Sequence, residues 1–250
     1  MAIQPLRIIG SFLSPYVRKV LVVLQVKGIA YEIDPIVPFF GGEEFSRLSP
    51  LRRIPVLIDE TVTLCDSTVI CEYLEELHPT PALLPTGSVN RARARWLEEY
   101  ADSHLGDVLI WRFYYQLIVR RLVWGEEPDT TLVAKARDED IPGVLDYLEA
   151  QLPAAGLLFG SLTTADISIA SFFRNAEYAG YRIDAGRWPR TAGFVARVLA
   201  LPAFEALKRY EDATVGAPAG ERRMRLTQIG APLSATTLMT RIPRRGVRAL

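Results

Sequence analysis

Histidine and cysteine are scarce in this chain, with two of each in 250 residues. Cys65 and Cys71 do not form a CxxC pair, and no His/Cys spacing matches a zinc site, so no metal is expected. Two thiols are also too few for a disulfide framework. They read as free thiols in a reducing compartment, and the chain is expected to be cytoplasmic. Charge of either sign is not in excess: Lys+Arg and Asp+Glu number 29 each. A nucleic-acid partner, which usually leaves a basic footprint, is therefore not expected. No apolar run approaches the ~18 residues of a membrane-crossing helix, so no membrane partner is expected either. The opening MAIQPLRIIG has no basic stretch followed by an apolar one, which argues against a signal peptide. GxSxG, phosphate-loop and GxGxxG motifs are missing. What is present is a chain 49% hydrophobic, long enough for one large domain or two ordinary ones.

The first eighty residues mix two periodicities. Leu6 to Ile9 is a short apolar run that reads as a buried strand. In "SPYVRKVLVVLQVKG", Val17, Val20, Leu21 and Leu24 recur at helical spacing, and Gly28 can end the helix in a left-handed conformation. "IAYEID" alternates, with Ile29, Tyr31 and Ile33 on one face of a strand. A short helix over Glu43 to Leu48 follows a loop rich in Pro, Phe and Gly. "IPVLIDETVTLCDS" gives two short strands joined at Asp59-Glu60, and a helix through Leu77 stops at His78-Pro79. The order is βαβ, a connection, then ββα. A right-handed crossover makes the first two strands parallel.

"PTPALLPTG" cannot continue that helix and reads as a linker. Beyond it the strand signals stop. A long helix is expected from Ser88 to about Leu122, and another over Thr130 to Leu152 with a kink near Pro142. "SLTTADISIASFF" opens a third, with Thr163 and Asp166 spaced as a capping box and Leu162 and Ile167 as its hydrophobic staple. Two shorter helices fit Thr191–Ala200 and Ala203–Tyr210. The last stretch, from Gly216, has seven arginines and one acid together with several Pro and Gly. It reads as a partly disordered tail or as an arm laid on a partner subunit.

Ser14 before Pro15 has two readings. A serine N-cap followed by proline at the first helical position is an ordinary helix start. The same N-terminus, with its free N–H groups and a hydroxyl at the tip, is also a place to hold an anion.

Four motifs in order choose the second reading. "SPYVRKV" with "KGIAYE", "SPLRRIPVL", "LCDSTVICEYLEELHP" and "TTADISIA" resemble the glutathione transferases, with a first motif similar to omega- and zeta-like bacterial members. The resemblance covers about residues 5 to 210. It implies an α/β thioredoxin-like N-terminal domain (βαβ-ββα) followed by an all-α C-terminal helical domain. The boundaries expected are 1–80 for the thioredoxin-like domain, 81–87 for the linker, 88–211 for the helical domain and 212–250 for an Arg-rich extension. Since the family pattern is complete by about Tyr210, a chain ending near Ala213 is expected to fold.

The resemblance implies glutathione as co-substrate, a small-molecule electrophile as second substrate, and a homodimer. Asp66 and Ser67 would hold the γ-glutamyl end; taken alone, Asp66 reads first as an ordinary N-cap. Ile54-Pro55 would be a cis bond that leaves the Ile54 backbone free to pair with the cysteinyl unit of glutathione like an added strand. Arg52 and Arg53 both stand where relatives carry a group for the glycyl carboxylate; the sequence does not choose, and Arg53 is the candidate carried forward. Ser14 falls where relatives have a catalytic Cys or Ser, so its hydroxyl would donate to the thiolate; Ser11 is the weaker candidate. Serine cannot form a mixed disulfide, which favours conjugation, isomerisation or a peroxidase-like attack.

For the second substrate, Phe12 and Leu13 precede Ser14, and "DVLIWRFYYQLIV" brings Asp107, Trp111 and Tyr115 within two turns of a helix. An aromatic pair at i and i+4 fits a pocket wall or a helix core. The alternative function is a non-enzymatic interaction module on the same fold, with a decayed glutathione site.

Overall fold

In the helix α1 (Pro15–Lys27), Val20, Leu21, Val22, Val23 and Leu24 are all fully buried in the computed structural model, which describes residues 6–245. A helix apolar on every side must be covered on every side. Full burial of each such side chain contributes about 1.5–3 kcal/mol. Gly28, at φ 66°, ends α1, and the Ile29 N–H bonds back to the Leu24 carbonyl at 2.9 Å. That closure takes the Ile29 N–H out of the next strand, which begins at Tyr31 instead of Ile29.

Among the described residues one sheet forms from β1 (Leu6–Ile9), β2 (Tyr31–Asp34), β3 (Val56–Ile58) and β4 (Thr63–Cys65), in the order β2-β1-β3-β4. β1 is parallel to β2, while β3 runs antiparallel to both β1 and β4. The short helix α2 (Glu43–Leu48) and the helix α3 (Ser67–Leu77) complete the βαβ-ββα order. This is the thioredoxin-like arrangement expected from the sequence.

Two compact units divide the chain: residues up to Pro81 together with those from Leu207 onward, and Ala82–Ala206. In the second, α4 (Ser88–Tyr100) runs on without a break through Ala101–Trp124 in wider π-type turns. After α5 (Thr130–Lys135), a π-type turn over Ala136–Asp140 leads into α6 (Ile141–Gln151). Pro142 lacks an N–H and crowds the carbonyl four residues back, which accounts for the widened turn just before it. The helix α7 (Thr164–Tyr178) starts at the expected capping box. The buried Asp166 carboxylate accepts from the Thr163 N–H at 2.9 Å and the Leu158 N–H at 2.9 Å. Burial pushes its pKa up, opposed by those hydrogen bonds. The helices α8 (Pro189–Leu199) and α9 (Pro202–Thr214) follow.

The tail corrects the sequence reading. Its described residues are ordered against their own thioredoxin-like unit. A further helix, α10 (Ala219–Gln228), is followed by a segment that lies along the open edge of β2. The Ile33 N–H donates to Pro232 O at 2.8 Å, and the Ser234 N–H donates to Ile33 O at 3.0 Å, extending the sheet in parallel. Asp34, wholly buried, accepts from the Leu238 N–H at 2.7 Å and from Arg223 at 3.4 Å. The buried Arg18 of α1 pairs with the buried Glu211 of α9. A buried carboxylate must be paired, and Arg223 of the tail is the partner that Asp34 finds. Removing the tail would strand Asp34 and reopen an edge strand. These contacts reverse the expectation for a chain cut near Ala213, which should now lose stability.

Candidate active site

Three of the motifs meet because of sheet register. Ile9 lies opposite Val56, and Val56 lies opposite Cys65. The loop leaving β1, the residues entering β3 and the turn leaving β4 therefore stand side by side at one end of the sheet. That places Ser11–Ser14, Ile54-Pro55 and Asp66-Ser67 together.

Gly10 makes the first loop possible. Its φ is 155°, and a Cβ there would stand 2.4 Å from Val17 of α1. Only glycine lets the chain turn so close beneath the helix. Ser11 is buried and used in the turn: its Oγ accepts from the Leu13 N–H at 3.3 Å, and its carbonyl accepts from the Ser14 N–H at 3.0 Å. Ser14 is the half-buried N-cap of α1, and its Oγ accepts from the Val17 N–H at 3.4 Å. That bond uses a lone pair. A hydroxyl also carries one donor, and among the described residues the Ser14 O–H has no acceptor. Cap and donor are compatible roles for the same oxygen.

The Ile54-Pro55 bond is cis, as expected, and Thr80-Pro81 is a second cis bond that the sequence reading did not single out. Among the described residues neither the N–H nor the C=O of Ile54 has a hydrogen-bond partner, so both remain open to an extended peptide.

Asp66 caps α3 with one oxygen. Oδ1 accepts from the Thr68 N–H at 2.9 Å and the Val69 N–H at 3.2 Å, leaving Oδ2 open. The residue is exposed and sits at φ 85°, a conformation that is strained for any residue with a side chain. Strain of this kind persists where the surroundings over-determine it and clusters at ligand sites. Ser67 is buried in the first turn of α3. Behind the turn, the buried ammonium of Lys19 donates to Thr68 Oγ1 at 3.0 Å, a support from α1 that the sequence reading missed because Lys19 looks like a surface residue of "VRKV".

The structure separates the two arginines. The Arg52 guanidinium donates to Ser46 Oγ at 2.6 Å, Gly41 O at 3.0 Å and Pro38 O at 3.3 Å, so it is committed to its own loop. The Arg53 side chain is exposed and, among the described residues, has no ion-pair or hydrogen-bond partner. Its backbone is fixed by Ser49, whose Oγ accepts from the Arg53 N–H at 2.9 Å and donates to the Arg53 carbonyl at 2.8 Å. Cys65, next to Asp66, donates its thiol to Leu48 O at 2.9 Å, and burial pushes its pKa up, which makes it an unreactive neighbour.

The remaining candidates belong to two separate units. In the first, Phe12 and Leu13 are buried, with the Phe12 ring 4.9 Å from that of Tyr210. In the second, Trp111 is half-exposed and its ring centroid lies 5.6 Å from that of the buried Tyr115. Asp107 pairs with Arg112 at 2.5 Å, and Arg112 also reaches Asp140 at 2.9 Å. Among the described residues no helix is long and apolar enough to cross a membrane.

The profile of the glutathione S-transferase N-terminal domain matches residues 9–82. The GST-like protein YibF of Escherichia coli is 30% identical over 184 residues, covering 73% of this chain and 86% of the relative. Maleylacetoacetate isomerase of Rattus norvegicus is 30% identical over 193 residues, covering 75% of this chain and 84% of the relative. A glutathione S-transferase from Methylobacterium radiotolerans, solved in complex with glutathione sulfonate, superposes with a TM-score of 0.67 at 27% identity. It covers 81% of this chain and 94% of its own. With its sheet-end motifs in the family order, the chain belongs to the glutathione S-transferase family.

Proposed function

We propose that this chain binds glutathione and lowers the pKa of its thiol, so that the thiolate attacks a small, hydrophobic electrophile or a disulfide. The observation that carries the reading is a set of unused groups at one end of the sheet. The Ser14 hydroxyl proton, the Ile54 backbone pair, the second oxygen of Asp66 and the Arg53 guanidinium have no partner among the described residues. Each answers one part of glutathione. Asp66 suits the ammonium, and the N-terminus of α3 with Ser67 suits the γ-glutamyl carboxylate. Ile54 suits the cysteinyl backbone, and Arg53 suits the glycyl carboxylate.

A free thiol has a pKa of about 8.5 and is a few per cent ionised at neutral pH. Lowering it by ~2 units takes about 2.7 kcal/mol. A hydrogen bond to a charged acceptor contributes roughly 1.5–3 kcal/mol. The N-terminus of α1 adds roughly 0.3–1 kcal/mol. Ser14 and its helix are therefore sufficient without a general base. The chain would work as a homodimer, with exposed Leu51, Val69 and Leu77 supplying apolar surface for a second copy. A panel of electrophiles and disulfides assayed with glutathione tests the reaction class. Turnover of at least one aryl or alkyl electrophile is expected, and none across the panel would count against transferase chemistry.

A further inference from the structure

The loop from Pro38 to Glu43 is gripped from two directions. On one side is the tail. The Arg244 N–H donates to Phe39 O at 2.7 Å. Phe40 O accepts from the Thr240 N–H at 2.7 Å and from Thr240 Oγ1 at 2.9 Å. Gly41 bridges Met239 in antiparallel fashion, and the Arg244 guanidinium pairs with Glu43. On the other side is Arg52, which takes the carbonyls of Pro38 and Gly41 and lies 5.9 Å above the Phe45 ring. Arg52 holds this pose at φ 51°, the left-handed region that residues with a side chain seldom occupy. The next residue is Arg53. Below the loop, Leu238 and Met239 of the tail pack on the same apolar cluster as Ile54 and Cys65, built on Ile9, Ile36, Phe45 and Val56.

We propose that the tail segment Leu238–Arg244 is a positioning element for the glycyl end of glutathione: with Arg52 it fixes the Pro38–Glu43 loop and thereby the stance of Arg53. The inference rests on the glutathione reading above. It adds that residues some two hundred positions away, outside the family motifs, set the affinity for one end of the ligand. The γ-glutamyl end is held by Asp66 and α3, which the tail segment does not touch through any of these bonds. The effect therefore falls chiefly on the glycyl end.

The test compares glutathione with γ-glutamylcysteine, which lacks the glycyl carboxylate. In the full chain, Thr240→Pro removes both donors to Phe40 O, and Arg52→Met removes the opposite grip. Each should weaken glutathione binding about tenfold and leave γ-glutamylcysteine within twofold. Arg53→Ala should show the same selectivity, and adding Thr240→Pro to it should bring little further loss, since residues acting through one contact are not additive. Equal loss for both ligands, full additivity with Arg53→Ala, or no loss would overturn the inference. If Thr240→Pro does not fold, Thr240→Val, which removes the Oγ1 donor to Phe40 O, and Arg244→Met, which removes the pair with Glu43, give the same comparison on the tail itself. Failure of the unmutated chain to bind either ligand would overturn the functional reading itself, and the inference with it.

Discussion

Replacing Ser14 by alanine removes a donor and a cap at once, and the two effects can be separated. The cap bond to the Val17 N–H is long, at 3.4 Å, so its loss belongs at the low end of the usual range, about 0.5–1 kcal/mol of stability. The donor matters more for chemistry. Losing roughly 1.5–3 kcal/mol of thiolate stabilisation raises the bound thiol pKa by about one to two units. From a starting value near ~6.5, the ionised fraction at pH 7 falls about three- to twenty-fivefold, and conjugation should fall by about tenfold. The sign fixes a pH signature: the deficit is largest near neutrality and closes above about pH 9, where the thiol ionises unaided. Ser14→Asp sharpens the test, because aspartate caps as well as serine but offers no proton and repels a thiolate. It should keep the melting temperature and lose the low thiol pKa. The assay is ultraviolet titration of the bound thiolate in the three proteins, beside their melting curves. An unchanged titration curve in Ser14→Ala would refute the donor role and leave Ser14 as a helix cap.

Three further outcomes follow from particular contacts. Asp66→Ala should weaken glutathione binding more than tenfold while costing the free protein about 1 kcal/mol for the lost cap; titration calorimetry and melting curves report the two separately, and a stability loss without an affinity loss would make Asp66 a cap alone. Asp59 closes the β3–β4 hairpin: burial works to raise its pKa, but bonds from Tyr73, Thr61 and Val62 outweigh it and hold the value down at about 2. A depressed pKa means stability that is present above the unfolded value of about 4 and lost as pH falls toward 2. Asp59→Asn should therefore narrow the difference in melting temperature between about pH 6 and about pH 3, and an unchanged difference would refute the assignment. A chain ending at Ala213 should aggregate or melt far below the full chain, since it strands Asp34 and opens β2; a soluble, cooperatively folding product would contradict the integral role of the tail.

What could be read from the sequence was local. The helix α1 declares itself through Pro15, its apolar spacing and Gly28, and the box at Thr163–Asp166 marks α7 because both partners lie three residues apart. The candidate site residues Ser14, Pro55 and Asp66-Ser67 and the cis Ile54-Pro55 bond came from the resemblance to the family's motifs; what position at element boundaries made legible was the cap at Ser14 and the cap at Asp66. That Arg52 bonds to its own loop was not legible, because it depends on where the Pro38 and Gly41 carbonyls point. Lys19 was missed because nothing in "VRKV" says which face is covered. The tail was missed for the same reason on a longer scale. Arg223 finds Asp34 across 189 positions, and Thr240 finds Phe40 across 200. Its Pro- and Gly-rich composition carries no period, so only its long-range partners reveal it as an edge-covering strap.

The central claim is tested most directly by titrating glutathione into the full chain by calorimetry at neutral pH, with a melting curve at saturation. One site per chain is expected. Ligand at about 100 times its dissociation constant should add about 2.7 kcal/mol, a rise of roughly 5–10 °C for a protein of this size. Neither heat nor a shift at millimolar glutathione would contradict the account, and the chain would then carry the transferase fold without its ligand.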